Sequence, residues 1–172
     1  MIAKAYADRL AERGLTLPTV SAPAGAYVGH TRGGAILYVS GQIPVAAGDI
    51  LYRGRVGERI GLEEAQRAAE LCALNILAQV AGACRFDLDA VTRCLRLGVF
   101  VNAVPGFEQH PMVANGASEL ITAVLGERGR HARAAVGVAS LPMGVAVEVD
   151  ALFELDLDRL GRNQGESTSG TD

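Results

Sequence analysis

Residues 61–82, GLEEAQRAAELCALNILAQVAG, constrain the fold more than any other stretch of the chain. Leu62, Ala65, Ala69, Cys72, Ile76 and Val80 recur at spacings of three and four, which puts small apolar side chains along one face of a long helix. Glu63 and Arg67 stand four apart for an ion pair on the wet face, and Gly82 is placed to close the helix. Such a face must lie on something broader than itself, and the flanking sequence supplies a sheet.

Two strand-like runs precede the helix. AYVGHTR and AILYVSGQIP are divided by Arg32-Gly33-Gly34, whose glycines permit a tight hairpin turn, so the two read as antiparallel neighbours. VAAGDILYRGRVGER reads as a loop with room for one short strand. After the helix, DAVTRCLRLGVFVNA reads as a central strand rich in β-branched side chains. Residues 109–126, QHPMVANGASELITAVLG, have a second helical pattern, weakened by Gly116, with Asn115 beside it as an alternative start. Two β runs follow, ARAAVGVAS and VAVEVDALFEL, joined by LPMG. A short amphipathic helix over residues 2–13, stopped by Gly14, opens the chain, and GRNQGESTSGTD at 161–172 lacks apolar periodicity and reads as a disordered tail. The expected fold is α+β: one domain over residues 1–160, a five- or six-stranded mixed sheet, and two main helices on one face. The other face, carrying Val, Ala, Phe and Leu, has nothing left in the chain to cover it, which points to a homo-oligomer.

Composition excludes several function classes. Net charge is −3, and fifteen of the sixteen basic residues are arginines scattered along the chain. Together with four Phe, four Tyr and no Trp, that is a poor footprint for nucleic acid. No run of 18 apolar residues is present and the N-terminal stretch is charged throughout, so a soluble, cytoplasmic protein with no membrane partner is expected. Cys72, Cys84 and Cys94 read as free buried thiols in a reducing compartment. His110 and His131 have no partner at metal-ligand spacing and read as loop or interface residues, so neither metal nor cofactor is expected. GxSxG, HExxH and P-loop motifs are absent.

Polar residues inside the last two β runs are the main chemical signal. If LPMG closes an antiparallel hairpin, Arg133 and Glu148 emerge on one sheet face, their backbones roughly 13 Å apart. Ala135, Gly137 and Ala139 would then keep that face bare for a small ligand. A guanidinium suits a carboxylate and Glu148 can hold a water or take a proton; equally, the two can be a surface or inter-subunit pair that steadies an oligomer. Tyr27, Ser40 and Gly41, at the ends of the first two strands, approach a ligand or simply serve strand and turn. Asn115 bonds a ligand or loop, or caps a helix.

YVSGQIP (38–44), ALNILAQVAGAC (73–84), VTRCLRLGVFVNAVPGFEQHPMVANGASELI (91–121) and HARAAVGVASLPMGVAVEVDALFEL (131–155) together resemble the RidA/YjgF/YER057c/UK114 family, also called the L-PSP endoribonuclease family. The resemblance implies a chorismate-mutase-like fold and a homotrimer with ligand sites between subunits. It implies that Arg133 holds a substrate carboxylate, that Glu148 positions or activates water, and that Tyr27, Ser40, Gly41 and Asn115 lie near the ligand. Ala135 replaces a cysteine common in the family, leaving its backbone to hydrogen bond. GRHARAAVG replaces the usual proline-containing lead into the arginine, as in a divergent branch. The implied reaction is hydrolytic deamination of 2-enamino or 2-imino acids to 2-oxo acids and ammonia. A trimeric protein that binds or senses a small carboxylate without turnover is the alternative, and RNA cleavage ranks last.

Overall fold

The computed structural model describes residues 5–20 and 25–165. Helix α1 (Ala5–Ala11) is shorter than its amphipathic pattern, because Glu12–Gly14 form a turn and Gly14 takes a φ of +68°. Residues 2–4 of the expected helix lie outside the described residues. Leu10 is buried, Tyr6 Oη donates to the Phe86 carbonyl at 2.9 Å, and Arg9 donates to the Val124 carbonyl at 2.9 Å.

Strands β1 (His30–Gly33) and β2 (Ile36–Gln42) form the expected antiparallel hairpin, with Gly34 at a φ of +62° in its turn. Two short strands, β3 (Val45–Ala46) and β4 (Asp49–Ile50), pair in the following loop. Helix α2 (Leu62–Ala83) runs through Gly82 and ends where the Cys84 N–H reaches the Val80 carbonyl at 2.9 Å. At its start the Glu64 carboxylate accepts from the Gly61 N–H at 2.9 Å, satisfying one of the orphan donors of the first turn. The Glu63–Arg67 pair does not form among the described residues.

Strand β5 (Val91–Asn102) is followed by α3 (His110–Leu125), β6 (Ala132–Val138), β7 (Val147–Leu155) and α4 (Leu157–Gly165). Gly116 does not break α3, nor does Asn115 start it; the helix begins one residue before Pro111, which suits a first turn. A Cβ at Gly116 would run into the backbone carbonyl of Gln66, so glycine is what lets α3 cross α2 with their main chains in contact. Helix α4 occupies residues 161–165 of the segment that reads as a tail, anchored by buried Leu160 and by Arg159, whose Nε donates to Asp87 at 2.6 Å. Residues 166–172 lie outside the described residues.

The mixed sheet has five strands in the order β1-β2-β7-β5-β6, with β6 parallel to β5 and the other pairs antiparallel. This corrects the hairpin reading of LPMG: β6 and β7 are separated by β5. Leu37, Val39, Leu97, Val99, Val101, Val149, Ala151 and Phe153 share one face by register and are buried with the apolar sides of α2 and α3. The opposite face is not wholly apolar. Tyr38, Phe100, Val136 and Leu152 share it with Glu148 and with an Arg96–Asp150 ion pair at 2.8 Å.

Candidate functional site

Two groups of the expected site residues come together, on opposite sides of the sheet. The first is built by an irregularity in β2. Val39 pairs with Ala151 and Gln42 with Val149, so Ser40 and Gly41 form a bulge opposite Asp150 and beside the Glu148 side chain. A bulge re-aims side chains and is at home beside a site. Gly41 has no Cβ, and one placed there would collide with the Glu148 carboxyl, which occupies that space. Ser40 Oγ donates to the Val28 carbonyl at 2.7 Å and its N–H to Gly29 at 2.9 Å, tying down the loop after Tyr27, whose side chain is exposed. Burial, aided by the neighbouring Asp150 charge, pushes the Glu148 pKa above the ordinary glutamate value. A carboxyl held in this way exchanges a proton more readily near neutrality than an exposed one.

Arg133, on the edge strand β6, centres the second group. It points to the helix face, where Nη1 donates to Asn115 Oδ1 at 3.0 Å and Ser118 Oγ at 3.0 Å, and Nη2 to the Pro111 carbonyl at 3.2 Å. All three acceptors are neutral, and Arg133 has no carboxylate partner among the described residues. Three bonds leave the Nε–H and one Nη2–H of the guanidinium, adjacent donors suited to a carboxylate. Asn115 is therefore a holder of the arginine in the second turn of α3.

Arg133 and Glu148 do not share a face. Arg133 pairs with Leu97 and through it with Ala151, whereas Glu148 pairs with Phe100 and through it with Val136. Three residues of offset and two strand spacings put the backbones about 14 Å apart, with the sheet between the side chains. One subunit cannot bring both to one small ligand. Nor is the lane beside Arg133 bare: Ala135 packs against the core, and a Cβ at Gly137 would lie 2.5 Å from His110 Nε2. The small residues of β6 make room for α3 and its first histidine. Beyond them a cavity of about 400 Å³ is lined by Arg55, Phe107, His110, Gly137 and Ala139 among others.

Pattern reading missed Ser118, which lies three residues after Asn115 and so on the same side of α3, the spacing that could have drawn attention to it. It also missed the contact His131 makes there, Nε2 to Ser118 Oγ at 2.9 Å. The three cysteines are free and buried, and burial pushes the Cys84 thiol to about 11 and the Cys94 thiol to about 12. Among the described residues no three His, Cys, Asp or Glu cluster as metal ligands would, and no helix is long and apolar enough to cross a membrane.

The family model described as "YjgF/chorismate_mutase-like, putative endoribonuclease" matches residues 7–155. Protein TCP17 of Trypanosoma cruzi is 48% identical over 151 residues, 87% of this chain and 94% of its own. The crystal structure of Atu1372 from Agrobacterium tumefaciens, a protein of unknown function, is 51% identical with a TM-score of 0.84, over 90% of this chain and 96% of that one. Escherichia coli TdcF with bound serine shares the fold at 22% identity and a TM-score of 0.58, over 81% of this chain and 98% of that one. With its sheet order, its two main helices and these matches, the chain belongs to the RidA/YjgF/YER057c/UK114 family.

Proposed function

We propose that this protein hydrolyses reactive 2-imino and 2-enamino acids to 2-oxo acids and ammonia, at sites completed between subunits of a homotrimer. The observation that carries the reading is Arg133: a guanidinium fixed by three neutral acceptors, with no acid partner among the described residues and two adjacent N–H groups left over. Such a group is set to take an incoming carboxylate. Glu148, raised in pKa and seated over Gly41, is the proton carrier. Because the two lie on opposite faces of one sheet, a working site takes Arg133 from one subunit and Glu148, with Ser40 and Tyr27, from the next.

With the substrate carboxylate on Arg133, water adds to C2 as Glu148 takes one of its protons, and the C=N electron pair moves to nitrogen. Glu148 gives that proton to the nitrogen, forming the neutral carbinolamine. In its collapse Glu148 takes the hydroxyl proton and passes it to nitrogen as the C=O bond forms, the C–N bond breaks and ammonia leaves. The imine is electrophilic already, so orientation and a proton relay supply most of what is needed. RNA cleavage draws less support, because the arginines are dispersed and the net charge is −3.

The test is ammonia and 2-oxo acid release from freshly generated 2-iminopropionate, in the parent and in Arg133→Ala and Glu148→Ala variants of verified assembly. Acceleration by the parent that both variants lose supports the reading. Release at the spontaneous rate across a series of imino acids overturns it in favour of carboxylate binding without turnover.

A further inference from the structure

Behind Arg133 stands a second layer of polar contacts. Ser118 Oγ lies 3.0 Å from Arg133 Nη1 and 2.9 Å from His131 Nε2, and His131 Nδ1 lies 2.6 Å from the Gly129 carbonyl oxygen. A carbonyl only accepts, so Nδ1 carries the hydrogen. In the neutral ring Nε2 then has only a lone pair, and the Ser118 hydroxyl must donate to it. With its one hydrogen committed, Ser118 turns a lone pair to the guanidinium. Every hydrogen in the chain from Gly129 to Arg133 thus has one place.

The far end of this chain is rigid. Gly129 is buried, and a Cβ there would lie 2.6 Å from the Ile121 carbonyl oxygen and 2.8 Å from Thr122 Cα. The Gly129 α-carbon therefore sits hard against α3, the helix that also presents Asn115 and Ser118. His131 precedes Arg133 by two residues in GRHARAAVG, so the unusual lead into the arginine has a physical task.

We propose that Ser118 and His131 are positioning residues for Arg133, with the Nδ1–H form of His131 fixing the Ser118 hydroxyl so that the guanidinium keeps its free edge turned to the substrate carboxylate. The inference rests on the reading of Arg133 as the carboxylate-holding group. Neither residue need touch the substrate, so their loss should weaken binding and leave the chemical step in place.

The test combines ¹⁵N NMR of the intact parent oligomer, with the His131 ring assigned, and steady-state hydrolysis of 2-iminopropionate. Pyruvate binding is measured alongside. The ring proton is expected on Nδ1. Ser118→Ala and His131→Phe should raise KM and weaken pyruvate binding about three- to tenfold, the worth of one ordinary hydrogen bond, with kcat within about twofold. His131→Gln, which keeps an acceptor near the Nε2 position, should recover most of the loss. A ring proton on Nε2, or pyruvate binding that depends on Arg133 but is unchanged in Ser118→Ala and His131→Phe, overturns the positioning role and leaves the functional reading intact. A parent whose pyruvate binding does not depend on Arg133 overturns that reading, and the positioning role with it.

Discussion

Replacing Gly41 with alanine separates folding from chemistry at this site. The added Cβ would lie 2.9 Å from Glu148 Cδ and 3.2 Å from Cγ, and closer still to one carboxylate oxygen. Ordinary carbon contacts sit near 3.5–4.0 Å, so the carboxyl has to move by about 1 Å. Gly41 has no positive φ, so the backbone accepts a side chain, and what must yield is the tip of a flexible glutamate. A displaced rotamer costs about 0.5–1.5 kcal/mol, which for a chain of this size lowers Tm by about 1–6 °C. Misplacing a reacting group by about 1 Å costs on the order of 100-fold in rate, or about 2.7 kcal/mol of barrier. Gly41→Ala should therefore fold and assemble, keep Arg133-dependent pyruvate binding, and lose about 100-fold in 2-iminopropionate hydrolysis. Calorimetry and an ammonia assay on one preparation decide it. Parent-like turnover would refute the placement of Glu148 in the chemistry, and a variant that cannot fold would refute the statement that only a side-chain tip stands in the way.

Other predictions concern charge and packing. Burial raises the Glu148 pKa in the folded protein, so ionising it opposes folding: the cost is absent below the unfolded glutamate pKa, grows as pH rises towards the folded value, and is fully present above it. Glu148→Gln should then raise Tm at neutral pH, with the gain fading in acid below about pH 4, as thermal melts across pH will show. Hydrolysis by the parent should fall as pH drops through that same raised pKa, at a higher pH than an exposed glutamate would give. Gly116→Ala should destabilise by about 1–3 kcal/mol by denaturant titration, since a methyl against the Gln66 carbonyl outweighs the roughly 1 kcal/mol of better helix propensity. Phe153→Ala, at a fully buried position on β7, should cost about 3–5 kcal/mol in the same titration.

Helix α2 and strand β7 were legible because each carries an uninterrupted period, 3.6 or 2, set by burial on one side. The partner of β6 was not. A loop as short as LPMG invites a hairpin, yet β5, α3 and β6 form a strand-helix-strand unit with a parallel pair, and β7 crosses to the middle of the sheet. Local pattern holds no term for that long-range pairing, and the error moved Arg133 to the wrong face. Arg133, Glu148, Gly41 and Asn115 stood out as candidates by residue type and position, and motif resemblance implied their roles, whereas the separation of Arg133 and Glu148 onto opposite faces came only from register. Gly116 and Gly137 misled for one reason: each marks a close approach by another element, Gln66 or His110, which only the packed structure reveals.

The most direct test of a site shared between subunits is complementation. Arg133→Ala and Glu148→Ala chains are unfolded together in equal amounts, refolded into mixed oligomers and assayed for 2-iminopropionate hydrolysis. If each site takes Arg133 from one subunit and Glu148 from its neighbour, random mixing leaves about one site in four with both residues, so about a quarter of the parent activity should return. Mixed oligomers as inactive as either variant alone, while parent chains refolded in the same way regain full activity, would contradict the shared site.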